Sequence, residues 1–497
     1  MTYEPVIGLE IHAELKTRTK MFCDSLNDPD ETRPNMNVCP ICMGHPGTLP
    51  VINRAAVEKV IQVGLAIEGA IAPVTRFDRK NYFYPDLPKG YQISQYDHPL
   101  VENGAFEVPD AVGAAKRIRI RRVHLEEDTG RSVHVGGPST GSGRSATLID
   151  FNRAGMPLLE LVTEPDFSDA SEARVFAEAF QQILQHLGAS DANMEKGEMR
   201  IEANVSVRPA GARELGTKVE LKNINSFRFV EDAIRAEVAR QIGLAERGGK
   251  IVQETRGWDA AKGVTVSQRL KEESKDYRYF PEPDLPPLAI PLETVEELRR
   301  SLPELPAEKL RRFRDEYRID AKLAGTLVRD RHIAGFFEAA ISELQNWLKE
   351  TGGKPNDPKS FQLAANYLTT DVVKLLSEKG IPIAGSPLTP ENFAELITYL
   401  AEGRLSSRAA KDVLAEMVAS GTDPSVIIEE RKLWQISETD ELAAAVAGTI
   451  AANPKAAEDF RRGRREALQF LLGRVMKDAP GANPETVRAL LEEKLRD

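Results

Sequence analysis

Residues 197–227 read GEMRIEANVSVRPAGARELGTKVELKNINSF, and a strict two-residue alternation there sorts charged and apolar side chains onto opposite faces of what should be strands. In MRIEANVSVR one face carries Arg200, Glu202, Asn204, Ser206 and Arg208, and the other carries Met199, Ile201, Ala203, Val205 and Val207. After a Gly-punctuated turn, KVELK sets Lys218, Glu220 and Lys222 on one face, opposite Val219 and Leu221. Taken alone, this is a sheet with one solvated face. Other stretches turn that polar face toward chemistry.

The N-terminal PVIGLEIHAEL repeats the pattern, with Ile7, Leu9, Ile11, Ala13 and Leu15 alternating with Gly8, Glu10, His12 and Glu14. Glu10 and His12 therefore project together, and a carboxylate beside an imidazole can hold a divalent cation or shuttle a proton; a half-exposed strand shows the same pattern. RIRIRRVHLEEDTGR, residues 117–131, is strand-like and ends in Glu126, Glu127 and Asp128, the oxygen cluster that a hard cation such as Mg²⁺ takes. Ideal alternation puts Glu126 on one face with Arg122 and His124. Between these stretches, RFDRKNYFYPDLPKGYQISQYDHP (residues 76–99) reads as a long ordered loop, because Pro85, Pro88 and Gly90 forbid a long regular element. Its aromatics with Arg79, Lys80 and Lys89 suit adenine stacking and phosphate pairing, or a cluster packed under a loop.

Cys23, Cys39 and Cys42 form C-x15-C-x2-C, part of a zinc knuckle that is one ligand short, or else three reduced, partly buried thiols. Asp24, Ser25 and His45 are the nearby candidates for a fourth position. GGPSTGSGRS, residues 136–145, contains a G-x-S-x-G match and an imperfect P-loop, but no helical pattern follows and a hairpin tip is the simpler reading. Helices are expected over residues 168–188, capped by Ser168 or Ser171, and from about Phe229 to Gly243.

With 497 residues, the chain suggests about three domains at roughly 100–200 residues each. A Pro-rich exit places one boundary near 290 and a change of pattern places another near Gly403, giving segments 1–290, 291–403 and 404–497, the last two all-helical. Net charge −10 excludes a uniformly basic coat, so any nucleic-acid contact must come from a local patch. Residues 461–477 supply one, setting Arg461, Arg462, Arg464, Arg465, Arg474 and Lys477 against Glu466 alone. Three cysteines make no disulfide framework, and no run of 18 apolar residues occurs, so a cytosolic protein is expected.

VIGLEIHAEL, CPICMGHPG, KNYFYPDLPKGYQISQYD, HLEEDTG, MRIEANVSVR, GTKVELKNINSFRF, KEESKDYRYFPEPDL and FLLGRVMK together resemble the B subunit of the bacterial tRNA-dependent amidotransferase, the GatB family, along the whole chain. The resemblance implies an α+β cradle, then a helical domain, then a tail that grips tRNA. It implies a heterotrimer with an amidase A subunit and a small C subunit, which converts Glu-tRNA(Gln) or Asp-tRNA(Asn) to the amide. ATP would phosphorylate the misacylated carboxylate with Mg²⁺ offsetting charge, and ammonia from glutamine would displace the phosphate. Under that expectation Glu10, His12, Glu126 and Glu202 are catalytic, the same four with Glu220 hold Mg²⁺, and Lys80, Asn204 and Lys222 pair with phosphate oxygens. The family is expected to carry Asp where this chain has Glu202, and a fourth thiolate where it has Ser25. The alternative is a non-catalytic tRNA-binding scaffold, distinguished by whether Glu10, Glu126, Glu202 and Glu220 cluster inward.

Overall fold

Alternation at both stretches resolves into long strands of one mixed sheet in the computed structural model, which describes every residue except 1, 111–112, 136–145, 271–276, 351, 353, 436–438, 480–481, 483 and 497. The sheet has twelve strands: β1 (Tyr3–Glu14), β2 (Ala70–Ile71), β3 (Asp78–Asn81), β4 (Tyr91–Ser94), β5 (Val101–Pro109), β6 (Ala115–Glu127), β7 (Pro157–Thr163), β8 (Met199–Pro209), β9 (Val219–Ile224), β10 (Glu254–Asp259), β11 (Val264–Leu270) and β12 (Phe280–Pro281). They run in the order β11-β10-β9-β8-β1-β7-β6-β4-β3-β12, with β5 joining β6 to β2. Among the described residues only β9 and β10 pair in parallel. The first strand of the chain thus lies mid-sheet, antiparallel to β8 on one side and to β7 on the other.

Period two then decides the faces. Ile7, Leu9, Ile11 and Ala13 of β1 are buried with Met199, Ile201, Ala203 and Val205 of β8. Helices Arg54–Ala66, Ala170–His186 and Phe227–Glu246 contribute to the same core. Phe176 anchors it, stacked on Phe106 at 4.4 Å and edge-on to Phe167 at 5.2 Å; truncating such a side chain to alanine costs about 3–5 kcal/mol. The opposite face keeps Glu10, His12, Arg200 and Glu202 together. Gly216, in the turn that returns the chain from β8 to β9, is required by close approach, since a Cβ there would stand 2.1 Å from the Val207 carbonyl oxygen.

Two local expectations change. Residues 76–99 are a hairpin rather than a loop, because the prolines and Gly90 fall in the connection and leave β3 and β4 free to pair, Arg79 opposite Ile93. The helix expected from 168 begins at Ala170 with Asp169 as cap, its side chain accepting the Ser171 N–H, while the Ser168 hydroxyl contacts Glu172. The Gly/Ser stretch 136–145, with its two motif matches, lies outside the described residues.

The chain divides into two compact units, Met1–Pro306 and Ala307–Asp497. The first continues past residue 290 because helix Leu292–Arg300 adds Val295 and Leu298 to its core. Among the described residues the second unit contains no strand. One of its cores joins Phe313, Phe337, Phe361 and Phe393 to residues as late as Ile428, so Gly403 falls inside this core. The other gathers Leu442, Val446, Leu471, Val475, Val487 and Leu491. The fold is therefore α+β followed by all-α, and no helix among the described residues is long and apolar enough to cross a membrane.

Glu395 is buried in the first of these helical cores and accepts the Tyr399 hydroxyl. Burial raises its carboxyl above the ordinary range, though the Tyr399 hydroxyl opposes the rise. A raised folded-state value means that stability is fully present below the unfolded value and is lost as pH rises through the folded one. Glu395→Gln should therefore stabilise the chain more at pH 8 than at pH 4. Urea unfolding followed by tryptophan fluorescence checks this, since Trp347 and Trp434 border this core; a difference that does not vary with pH would refute it.

Candidate functional site

On the polar face, register brings together residues that are far apart in sequence. Glu10 lies across from Glu202, and His12 from Arg200, on the β8 side. On the β7 side His12 lies across from Glu160, which in turn lies across from His124 on β6, while Glu126 pairs with Leu158. The side chains follow the backbone: His12 Nε2 is 3.2 Å from Glu160 Oε2 and 3.8 Å from Glu10 Oε1. His124 Nε2 lies 3.6 Å from Glu160 and 3.5 Å from Glu126. Glu10, His12 and Glu160 offer ligand atoms within 4.8 Å of one another, as do His124, Glu126 and Glu160. Glu160 joins the two groups.

Glu160 and His124 are the residues that the sequence reading left out of the site. The available signal was a lone acid in the apolar run PLLELV. Glu126, rather than Glu127, faces the site: Gln92 Nε2 donates to it at 2.9 Å, and Lys80 Nζ stands 3.7 Å away. Glu127 turns to the other side, where it receives Lys89 and the Ile93 N–H.

Crowded acids with little solvent must take up positive charge. Burial, followed by the charge of Glu160, pushes the Glu10 carboxyl up to about 7, with Glu202 adding to the rise and His12 and Lys222 restraining it. Burial works against a charged His12, but its hydrogen bond to Glu160 and the charges of Glu160, Glu10 and Glu126 lift it to about 9. Burial is likewise overcome at Glu160, which His124 and His12 hold well below the carboxylate range, and at Glu126, which Lys80 holds low. Nδ1 of buried His124 lacks a hydrogen-bond partner among the described residues, while its Nε2 faces the Glu126 and Glu160 carboxylates. Carboxylates converging with imidazole nitrogens fit a divalent cation.

Glu202 and Glu220 stand apart from this group. Lys222 Nζ lies between them, 2.9 Å from Glu202 and 3.8 Å from Glu220, and the Thr255 hydroxyl donates to Glu220 at 2.7 Å. Asn204 is across from Gly8 and Glu220 on the same face. Beyond Lys80 stands an aromatic wall. Tyr96 and Tyr279 stack at 4.7 Å, Arg122 lies 4.7 Å over Tyr96, and Lys80 lies 5.4 Å from the Tyr277 ring centre.

Elsewhere in the first unit, Cys23, Cys39 and Cys42 bring three sulfurs within 4.8 Å of one another. The fourth corner does not fit zinc. Ser25 Oγ is 3.9 Å from Cys42 Sγ, Asp24 and His45 are exposed, and the fully buried Lys20 places its ammonium 3.8 Å from the same sulfur, where it opposes a dication. In the second unit the basic tail divides by partner. Arg461 donates to the Leu495 carbonyl, Arg462 pairs with Glu458, Arg464 pairs with Asp459, and Arg474 lies over Phe470. Arg465 and Lys477 are exposed and make no ion pair among the described residues.

Comparison with known proteins agrees along the whole chain. Residues 5–296 match the GatB/GatE catalytic domain and residues 348–495 the GatB domain. The B subunits of several bacterial aspartyl/glutamyl-tRNA(Asn/Gln) amidotransferases are similar to it end to end. That of Carboxydothermus hydrogenoformans is 46% identical over 494 residues, 99% of each chain. That of Halorhodospira halophila is 47% identical over 496 residues, 100% of this chain and 99% of its own.

The cysteine geometry is open to direct measurement. Protein purified without added metal should hold well under one zinc per chain by elemental analysis, and Cys42→Ser should leave that content unchanged. Stoichiometric zinc that disappears in the variant would restore the knuckle.

Proposed function

The chain belongs to the GatB family of tRNA-dependent amidotransferase B subunits, and from that premise we propose that its first unit activates and transamidates the carboxylate of a misacylated Glu-tRNA(Gln) or Asp-tRNA(Asn). The observation that carries this reading is the buried Glu10–His12–Glu160–His124–Glu126 cluster on the open face of the sheet, with Lys80 and Lys222 on its flanks. A tRNA-binding scaffold has no need of such a cluster. Burying several ionisable groups costs stability unless a bound species repays it.

A carboxylate is a poor electrophile at neutral pH, so ammonia requires a better leaving group, and phosphorylation by ATP provides one. A divalent cation, Mg²⁺ for preference, held by Glu10, Glu126, Glu160 and His12, would offset charge between the ATP phosphates and the acyl carboxylate. Lys80, fixed by Glu126, and Lys222, fixed by Glu202 and Glu220, would pair with phosphate oxygens. Asn204 adds an amide donor on the same face. Glu202 keeps its place beside Glu10 but acts through Lys222, which suits the longer side chain at that position. The tyrosine wall of Tyr96, Tyr277 and Tyr279 offers aromatic surface for a base.

No residue set described in this chain suits glutamine hydrolysis, so the ammonia is assigned to an amidase A subunit, with a small C subunit completing a heterotrimer. The last core, with Arg465 and Lys477 uncommitted, contributes tRNA phosphate contacts. The setting is the cytoplasm.

Two measurements test this division of labour. Glu10→Gln in the assembled enzyme should lower ATP-dependent activation of misacylated tRNA by ~100-fold or more, with tRNA affinity within about twofold of the parent; near-normal transamidation would overturn the assignment. For the tail, replacing Arg465 and Lys477 with glutamine should weaken tRNA binding more than replacing Arg462 and Arg464, and should reduce the salt slope by up to about one unit per contact. Equal effects from the two pairs, or an unchanged slope, would remove this patch from the tRNA interface.

A further inference from the structure

Two arginines at the edge of the acid cluster have no part in the reading above. Arg200 is the cross-strand neighbour of His12 and one alternation step from Glu202, so it shares the polar face. Arg153 lies in the turn that leads into β7. Both guanidinium groups reach the same atom, Asp128 Oδ2, Arg153 Nε at 3.2 Å and Arg200 Nη2 in closer contact. Asp128 is buried, and its Oδ1 accepts the Thr129 N–H at 2.8 Å. Arg153 Nε also stands 3.9 Å from the Glu14 carboxylate.

Two guanidinium groups therefore converge on one carboxylate oxygen. Arg200 Nε is buried and has no hydrogen-bond partner among the described residues, although 40% of the side chain is open to solvent. An unpaired buried donor is costly unless a ligand takes it up. A guanidinium held from behind by a buried aspartate, with donors to spare and an acid–imidazole cluster beside it, is suited to an oxyanion with several oxygens.

We propose that Arg200 binds the phosphoryl group during its transfer, with Asp128 as the positioning residue that aims it. This rests on the reading of the first unit as a carboxylate-activating site. In the step, a carboxylate oxygen of the esterified amino acid forms a bond to the γ-phosphorus. The bond from that phosphorus to the bridging oxygen breaks, and ADP leaves with the electron pair. Arg200 exchanges no proton; its fixed charge offsets that of the transferring oxygens.

The test uses the assembled enzyme with misacylated tRNA and ATP, measuring ADP formation. Arg200→Gln should lower kcat by ~100-fold with tRNA affinity within about twofold. Asp128→Asn should chiefly raise the KM for ATP, since it loosens the aim and leaves the cation in place. The double variant should be as slow as Arg200→Gln alone. If Arg200 only balances the charge of Asp128, the double variant recovers toward the parent rate, and the proposal falls. Should Arg200→Gln not fold, Arg200→Lys carries the test: it keeps the charge but loses the fork, so a tenfold or greater loss of kcat supports the proposal and an unchanged kcat overturns it. Absence of ADP formation in the unmodified enzyme would defeat the activation reading itself, whereas normal ADP formation by both enzyme and variant would defeat only the assignment of Arg200.

Discussion

Glu160 is a carboxylate with almost no contact with water, held between His12 at 3.2 Å and His124 at 3.6 Å. An isolated carboxylate so placed would cost several kcal/mol, and the imidazoles offset that cost only because β7 runs between the two strands that carry them. A slip of one residue in either pairing would send Glu160 into the hydrocarbon core and a leucine into the site. Register, specified by the buried faces of three strands, is therefore also what specifies the chemistry.

Periodicity made the sheet legible, and with it Glu10, His12, Glu202 and Glu220 as residues of one face. Glu160 was obscured because its strand is buried on both sides. PLLELV reads as a continuous apolar run in which a single acid carries no alternation. His124 was placed on the face of Glu126 but had no reason to be preferred over its neighbours until Glu160 appeared beside it. The hairpin at 78–94 was hidden for a different reason, since Pro85 and Pro88 argue against regular structure only where they stand and not a few residues away. Long-range pairing was the missing information in each case.

Charge counting had a similar limit in the tail. The sequence shows six basic residues against one acid between 461 and 477, but Glu458 and Asp459 lie just outside that window and engage Arg462 and Arg464. The helix Pro454–Arg461 ends on the first residue of the cluster, which puts those acids within reach. Likewise, the three cysteines were visible as an incomplete set, whereas the lysine that occupies their surroundings is distant in pattern, if not in number, from any metal motif.

The central place of β1 also bears on how the protein is made. Its two partners, β7 and β8, begin at residues 157 and 199, so β1 has neither neighbour on leaving the ribosome until well over a hundred residues have followed, and lacks the second for some two hundred. At roughly 5–20 residues per second, that leaves an apolar, alternating segment incompletely paired for about 10–40 s during synthesis. Glu10, His12 and Glu14, the polar half of that segment, would keep the nascent chain soluble through the interval, as gatekeeper charges do beside other obligatory hydrophobic strands.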